Sequence, residues 1–94
     1  MSLINESYRA ELETIREIFE RKSTAYGKDN IKDSGTPVEE ALGSLFFRIR
    51  DKVNRFNRLA TNGVEAGDET MVDTLRDLAN YALIACVVAK GEWE

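Results

Sequence analysis

A chain of 94 residues makes one small domain, residues 1–94, with too little material for a large core, so completion by another copy is expected. Its 17 acidic against 13 basic residues give a net charge of −4, which argues against a long nucleic-acid partner and leaves open a small nucleotide held by local cations. It has no histidine, so the commonest metal ligand and general base are missing. Its single cysteine, Cys86, excludes an intrachain disulfide and points to a reducing, cytoplasmic setting.

The hydrophobic pattern predicts an all-α fold, a small bundle of three main helices completed by oligomerisation. The first helix is expected over about 5–22, where Tyr8, Leu12, Ile15 and Phe19 recur every three or four residues. Residues 23–35, "STAYGKDNIKDSG", read as a long loop, rich in polar residues and glycine, and long loops in compact domains are often functional. Within it Tyr26 either covers the open end of the bundle or stacks on a base. The second helix is expected over about 37–61, opened by Thr36 as N-cap, Pro37 at the first helical position and Glu39 closing a capping box. Leu42, Leu45, Phe46, Ile49, Val53, Phe56 and Ala60 hold its apolar period. The third helix is expected over about 68–90, capped by Asp68. Its second half, "YALIACVVA", is apolar all round, which implies burial on every side and hence a subunit interface that Tyr81 and Trp93 join. There Cys86 reads as a small buried filler. The longest apolar run is too short to span a bilayer, and no segment resembles a signal peptide.

Charge is segregated by helix. Arg48, Lys52 and Arg55 fall on one strip that borders the apolar stripe of the second helix, with Arg50 and Arg58 pointing elsewhere. Glu69, Asp73, Asp77 and Asn80 fall on one strip of the third. If the two helices run antiparallel, a basic and an acidic rail flank one cleft. Two readings remain open: the rails neutralise each other through salt bridges, or they hold a phosphorylated ligand. In the second reading Glu69, Asp73 and Asp77 bind Mg²⁺, an oxygen-seeking cation, while Arg48, Lys52 and Arg55 take phosphate oxygens. Asn80, flanked by apolar residues, needs a partner for its amide: either a neighbouring backbone or the edge of a ligand's base beside Tyr81.

The segments "KSTAYGKDN" (Lys22 to Asn30), "RIRDKVNRFNRL" (Arg48 to Leu59) and "ETMVDTLRDLANYALI" (Glu69 to Ile84) give the chain a resemblance to the nucleotide-modification-associated domain 1 family. These are small all-α proteins found largely in phages and prophages, which implies the cytoplasm of a host cell. That family is similar to the all-α nucleoside triphosphate pyrophosphohydrolases, the group including MazG and the dimeric dUTPases. Their Glu-Glu-x-x-Glu and Glu-x-x-Asp motifs bind Mg²⁺, and the metal activates a water that cleaves between the α- and β-phosphates. Asp77 matches the final aspartate of the second motif. Thr74 stands where its glutamate would be, with Asp73 and Glu69 as substitutes. The first motif departs: "EEALG" has Glu39 and Glu40 but Gly43 in place of the third acid.

Three functions follow as expectations. The first is a Mg²⁺-dependent nucleotide pyrophosphohydrolase, with Asp73 and Asp77 catalytic, metal on Glu69, Asp73 and Asp77, and phosphates on Arg48, Lys52 and Arg55. The second is an oligomeric, non-catalytic binder that sequesters a cyclic or modified nucleotide signal and so counters host defence, with Tyr26, Asn80 and Tyr81 on the base. The third is an interaction protein whose rails are salt bridges only.

Overall fold

The computed structural model describes residues 5–62, 65–66 and 69–93, with the backbone alone for Glu65, Ala66 and Glu69. The fold is all-α. Helix α1 spans Glu6–Tyr26, α2 spans Val38–Asn62 and α3 spans Met71–Ala89. A single 3₁₀ turn, Lys28–Asn30, lies between α1 and α2, and Glu65–Ala66 pairs antiparallel with Glu69–Thr70 just before α3.

Asn5 opens α1, its Oδ1 accepting the Tyr8 N–H at 2.8 Å. The helix outruns its expected end by a full turn. The stretch Ser23–Tyr26 reads as loop because serine and threonine compete with the backbone for hydrogen bonds, but the Thr24 hydroxyl donates to the Glu20 carbonyl of its own helix at 3.0 Å. What stops the helix is Gly27, at φ 75° and ψ 162°, with its N–H on the Ser23 carbonyl at 2.8 Å. That conformation is essentially reserved for glycine.

Ahead of α2, Asp33 Oδ1 accepts from the Gly35 N–H and from the hydroxyl of Thr36, the residue expected to cap the helix. The Pro37 carbonyl then receives the first helical N–H groups, from Glu40 and Ala41. Helix α3 starts later than expected. Its cap is Thr70, whose hydroxyl donates to Asp73 Oδ2 at 3.0 Å while accepting the Asp73 N–H at 3.1 Å. Asp68, the expected cap, lies outside the described residues. At the far end Gly91 takes φ 73°, and the Gly91 and Glu92 N–H groups close on the Val88 and Val87 carbonyls. This reversal turns Trp93 back, so that its indole N–H donates to the Lys28 carbonyl at 3.0 Å and its ring meets Phe19 edge-on at 6.2 Å.

The core joins the start of α2 to the end of α3. Ala41 and Leu45 pack with Ile84 and Val88, flanked by Phe19, Ile31, Val38, Leu42, Tyr81, Ala85 and Trp93. The two helices therefore run antiparallel. Among the buried and half-buried residues of α2 is the series 41, 45, 48, 52, 55, 59, and among those of α3 the series 74, 77, 81, 84, 88. Both follow the alternating three-and-four spacing of a helix–helix seam. This corrects two sequence expectations. The seam takes Leu45 and Leu59 but leaves Phe46, Val53 and Phe56 exposed. The strip of Arg48, Lys52 and Arg55 also continues the apolar stripe instead of bordering it. Arg50 does point elsewhere, its guanidinium over the Phe47 ring at 4.8 Å.

Helix α1 buries no residue fully. Tyr8 and Leu12 are exposed, and so are Leu83 and Cys86 on α3. Cys86 is thus no buried filler, and within one chain the apolar half of α3 is not covered on every side. Among the described residues no helix is long and apolar enough to cross a membrane.

Replacing Gly27 with alanine forces a Cβ into a conformation that only glycine adopts readily, although the space around it is open. The expected outcome is a loss of about 1–3 kcal/mol of stability, read as a lower urea midpoint at unchanged m-value.

Candidate functional site

At the middle of the α2–α3 seam the apolar pattern gives way to charge. Asp77 points between α2 and the C-terminal end of α1. Its Oδ2 lies 2.9 Å from Lys52 Nζ, and its Oδ1 accepts from Lys22 Nζ at 3.3 Å. One carboxylate thereby bridges ammonium groups from two other helices, with about a fifth of its side chain exposed. Burial disfavours the ionised form, but the hydrogen bonds and charges of Lys52 and Lys22 outweigh it and hold the carboxyl below the usual range.

Beside this cluster the chain encloses a cavity of about 350 Å³. Its charged lining is Lys22, Arg48 and Asp77. Tyr26, Tyr81 and Trp93 supply aromatic walls, and Asn30 and Asn80 supply amides. Arg48 is fixed from two sides: Nη2 donates to the Asn30 carbonyl at 3.2 Å, and the guanidinium lies 5.8 Å from the centre of the Tyr81 ring. Counting Lys52, whose ammonium meets Asp77, the site holds three cations to one carboxylate.

The expected residues divide as follows. Tyr26, Arg48, Asp77, Asn80 and Tyr81 come together on the cavity, and Lys52 joins them through Asp77. Asn80 is buried and donates its amide to the Ile15 carbonyl of α1 at 3.2 Å, so the backbone reading of that residue holds while it also forms part of the cavity wall. Tyr81 lines the cavity. Arg55 is half-buried in the seam but does not line the cavity. Asp73 is half-exposed, engaged by its capping partner Thr70 and 3.6 Å from Arg76. The side chain of Glu69 lies outside the described residues.

The same positions decide how far the site fits Mg²⁺. The cation needs several oxygen donors facing one point. Both oxygens of Asp77 meet lysine ammonium groups, and those of Asp73 face Thr70 and Arg76. Among the described residues no three candidate ligands gather. In this arrangement the described carboxylates do not form a metal cage.

Lys22, Asn30 and Trp93 are cavity residues that sequence reasoning missed. Lys22 lies one helical turn before Tyr26, and continuing the first helix through Tyr26 would have placed both on one face. Trp93 carries no such signal, because its position follows from the reversal at Gly91.

Asp77→Asn removes the charge that two lysines share. The expected cost at pH 7 is about 1–3 kcal/mol, between the values for exposed and buried ion pairs. Because the folded carboxyl titrates below its unfolded value of about 3.9, the stabilisation is present above that pH and is lost as pH falls through the folded value. Urea titrations should therefore show the gap between wild type and Asp77→Asn closing as pH falls from 7 towards 2. A gap of constant size would disprove the assignment.

Compared with family models, curated proteins and solved structures, the chain shows no match.

Proposed function

We propose that the cleft between α1, the 3₁₀ turn, α2 and α3 binds a nucleotide or a nucleotide-derived small molecule. The observation that carries this reading is the joint lining of one cavity by cationic, aromatic and amide side chains: Lys22 and Arg48, Tyr26, Tyr81 and Trp93, Asn30 and Asn80. A nucleotide presents those chemistries in reverse, with an anionic phosphate, a flat π-face and a hydrogen-bonding edge. A volume of about 350 Å³ is at the small end of the range for ligand pockets. Lys22, Lys52 and Arg48 outnumber Asp77, so the local charge favours an anion despite the net −4 of the whole chain.

The described residues support holding a ligand more than cleaving it. Hydrolysis with Mg²⁺ on Glu69, Asp73 and Asp77, as the family resemblance implies, requires Asp77 to leave both lysines and Asp73 to leave Thr70. A non-catalytic binder needs neither rearrangement. In the phage setting that the resemblance implies, such a binder acts by sequestering its nucleotide.

Trp93 is the only tryptophan of the chain and lines the cavity, so its emission reports binding directly. Titration with ribo- and deoxynucleoside mono-, di- and triphosphates and cyclic dinucleotides, with and without Mg²⁺, should change that emission for at least one of them. Arg48→Ala should weaken the binding about tenfold or more, as expected for a lost charge-assisted hydrogen bond. Ligand released by denaturing the complex should return intact. Recovery of a monophosphate and pyrophosphate would assign cleavage instead, and no change in emission or heat with any of these nucleotides would reject the nucleotide reading.

A further inference from the structure

We propose that a second copy of this chain packs on the apolar groove between α1 and α3, making an isologous two-fold dimer. The inference is independent of what the cleft binds. A folded monomer of 10.6 kDa is expected to expose about 5,500 Å². This chain exposes 6844 Å², about 1,300 Å² more than that expectation. Its radius of gyration of 14.8 Å likewise exceeds the value of about 12 Å for a compact domain of this length. The surplus surface is ample for one side of a stable interface, which takes about 800 Å² from each partner.

The groove between α1 and α3 is an apolar, concave part of the exposed surface. It encloses about 630 Å³, and Tyr8, Leu12, Leu83 and Val87 are among its walls. Its two charged members are already satisfied within the chain: Glu11 takes both oxygens to Arg76 at 2.8 and 2.9 Å, and Arg16 pairs with Glu13 and Glu20. The face therefore asks no countercharge of its occupant and fits an apolar surface like itself. The alternative face, Phe46 and Phe47 on α2, is overlain by the Arg50 guanidinium at 5.7 and 4.8 Å.

The occupant must also be permanent. α1 buries no residue fully, and the described residues contain only five buried apolar side chains. A fold this short of core needs a cover present whenever the chain is, and a second copy meets that condition.

Sedimentation of the full chain should give twice the chain mass. Leu83 is exposed in one chain, so Leu83→Glu is tolerable in a monomer and damaging only at a contact. The variant should sediment at the single-chain mass with its helical circular dichroism retained, and Cys86 in the same groove should react with maleimide about tenfold faster than in wild type. Phe47→Ser should leave the dimer intact. Three results overturn the proposal: wild type at single-chain mass at its highest attainable concentration, a dimer that survives Leu83→Glu with Cys86 labelling unchanged, or a dimer lost in Phe47→Ser alone. Should Leu83→Glu unfold, the thermal midpoint of wild type must rise with protein concentration, and a concentration-independent midpoint also overturns it.

Discussion

The carboxylate of Asp77 lies where three helices meet, and the arrangement of the chain turns on it. Lys22 reaches it from α1 and Lys52 from α2. Within the same turn of α3, Arg76 grips Glu11 and Asn80 holds the Ile15 carbonyl. These hydrogen bonds tie α1 to α3 among the described residues, and they add to the partial apolar packing of a helix that buries no residue fully. Directional bonds to one turn fix the angle of a helix better than they stabilise it. In water each polar contact is worth about 1 kcal/mol net, whereas a fully buried leucine contributes about 2 kcal/mol or more. α1 is thus precisely oriented by α3 and weakly glued to it.

Along the α2–α3 seam the two kinds of packing are separated in space. At one end Ala41, Leu45, Ile84 and Val88 interlock as an ordinary apolar seam. In the middle Arg48, Lys52 and Asp77 occupy positions of the same spacing where leucine would pack better. Charges there lose hydration, and apolar replacements at such sites are often neutral or stabilising. Keeping them means that the site forgoes stability it could have had. Long cationic side chains also cannot interdigitate as leucines do. The helices stand joined by ion pairs at this level, and the cavity opens beside them, roofed by the 3₁₀ turn that Trp93 and Arg48 tie down through the Lys28 and Asn30 carbonyls.

Much of this could be read from residue spacing. The three-helix, all-α architecture follows from the apolar periods, and the meeting of Lys52 with Asp77, with Arg48 on the same cavity, follows from two charged strips at helical intervals. Spacing failed where a local rule was overridden by a single bond or a single backbone angle. Ser23 and Thr24 look like loop until the Thr24 hydroxyl folds back on Glu20, and with the helix ended four residues early the shared face of Lys22 and Tyr26 is lost. Phe46 and Leu45 both fit an apolar stripe, and only the partner helix decides which of two adjacent side chains is buried. Trp93 depends on the positive φ at Gly91, which no periodicity encodes.

The cavity and the groove are not separate features. Phe19, Asn80, Ile84 and Trp93 line both, so one layer of side chains has the polar cleft on one side and the apolar groove on the other. Phe19 and Trp93 are in ring contact within that layer, and both are only half-buried in a single chain. Were the groove and the cleft both occupied as proposed, a partner in the groove would restrict the rotamers of this wall, and a ligand stacked on Trp93 would restrict the same ones. Whichever bound first would meet the entropy cost of ordering the wall. By linkage, ligand would then strengthen association by the factor by which association strengthens ligand binding. The shared layer of four residues is the physical route by which two proposed occupants would sense each other.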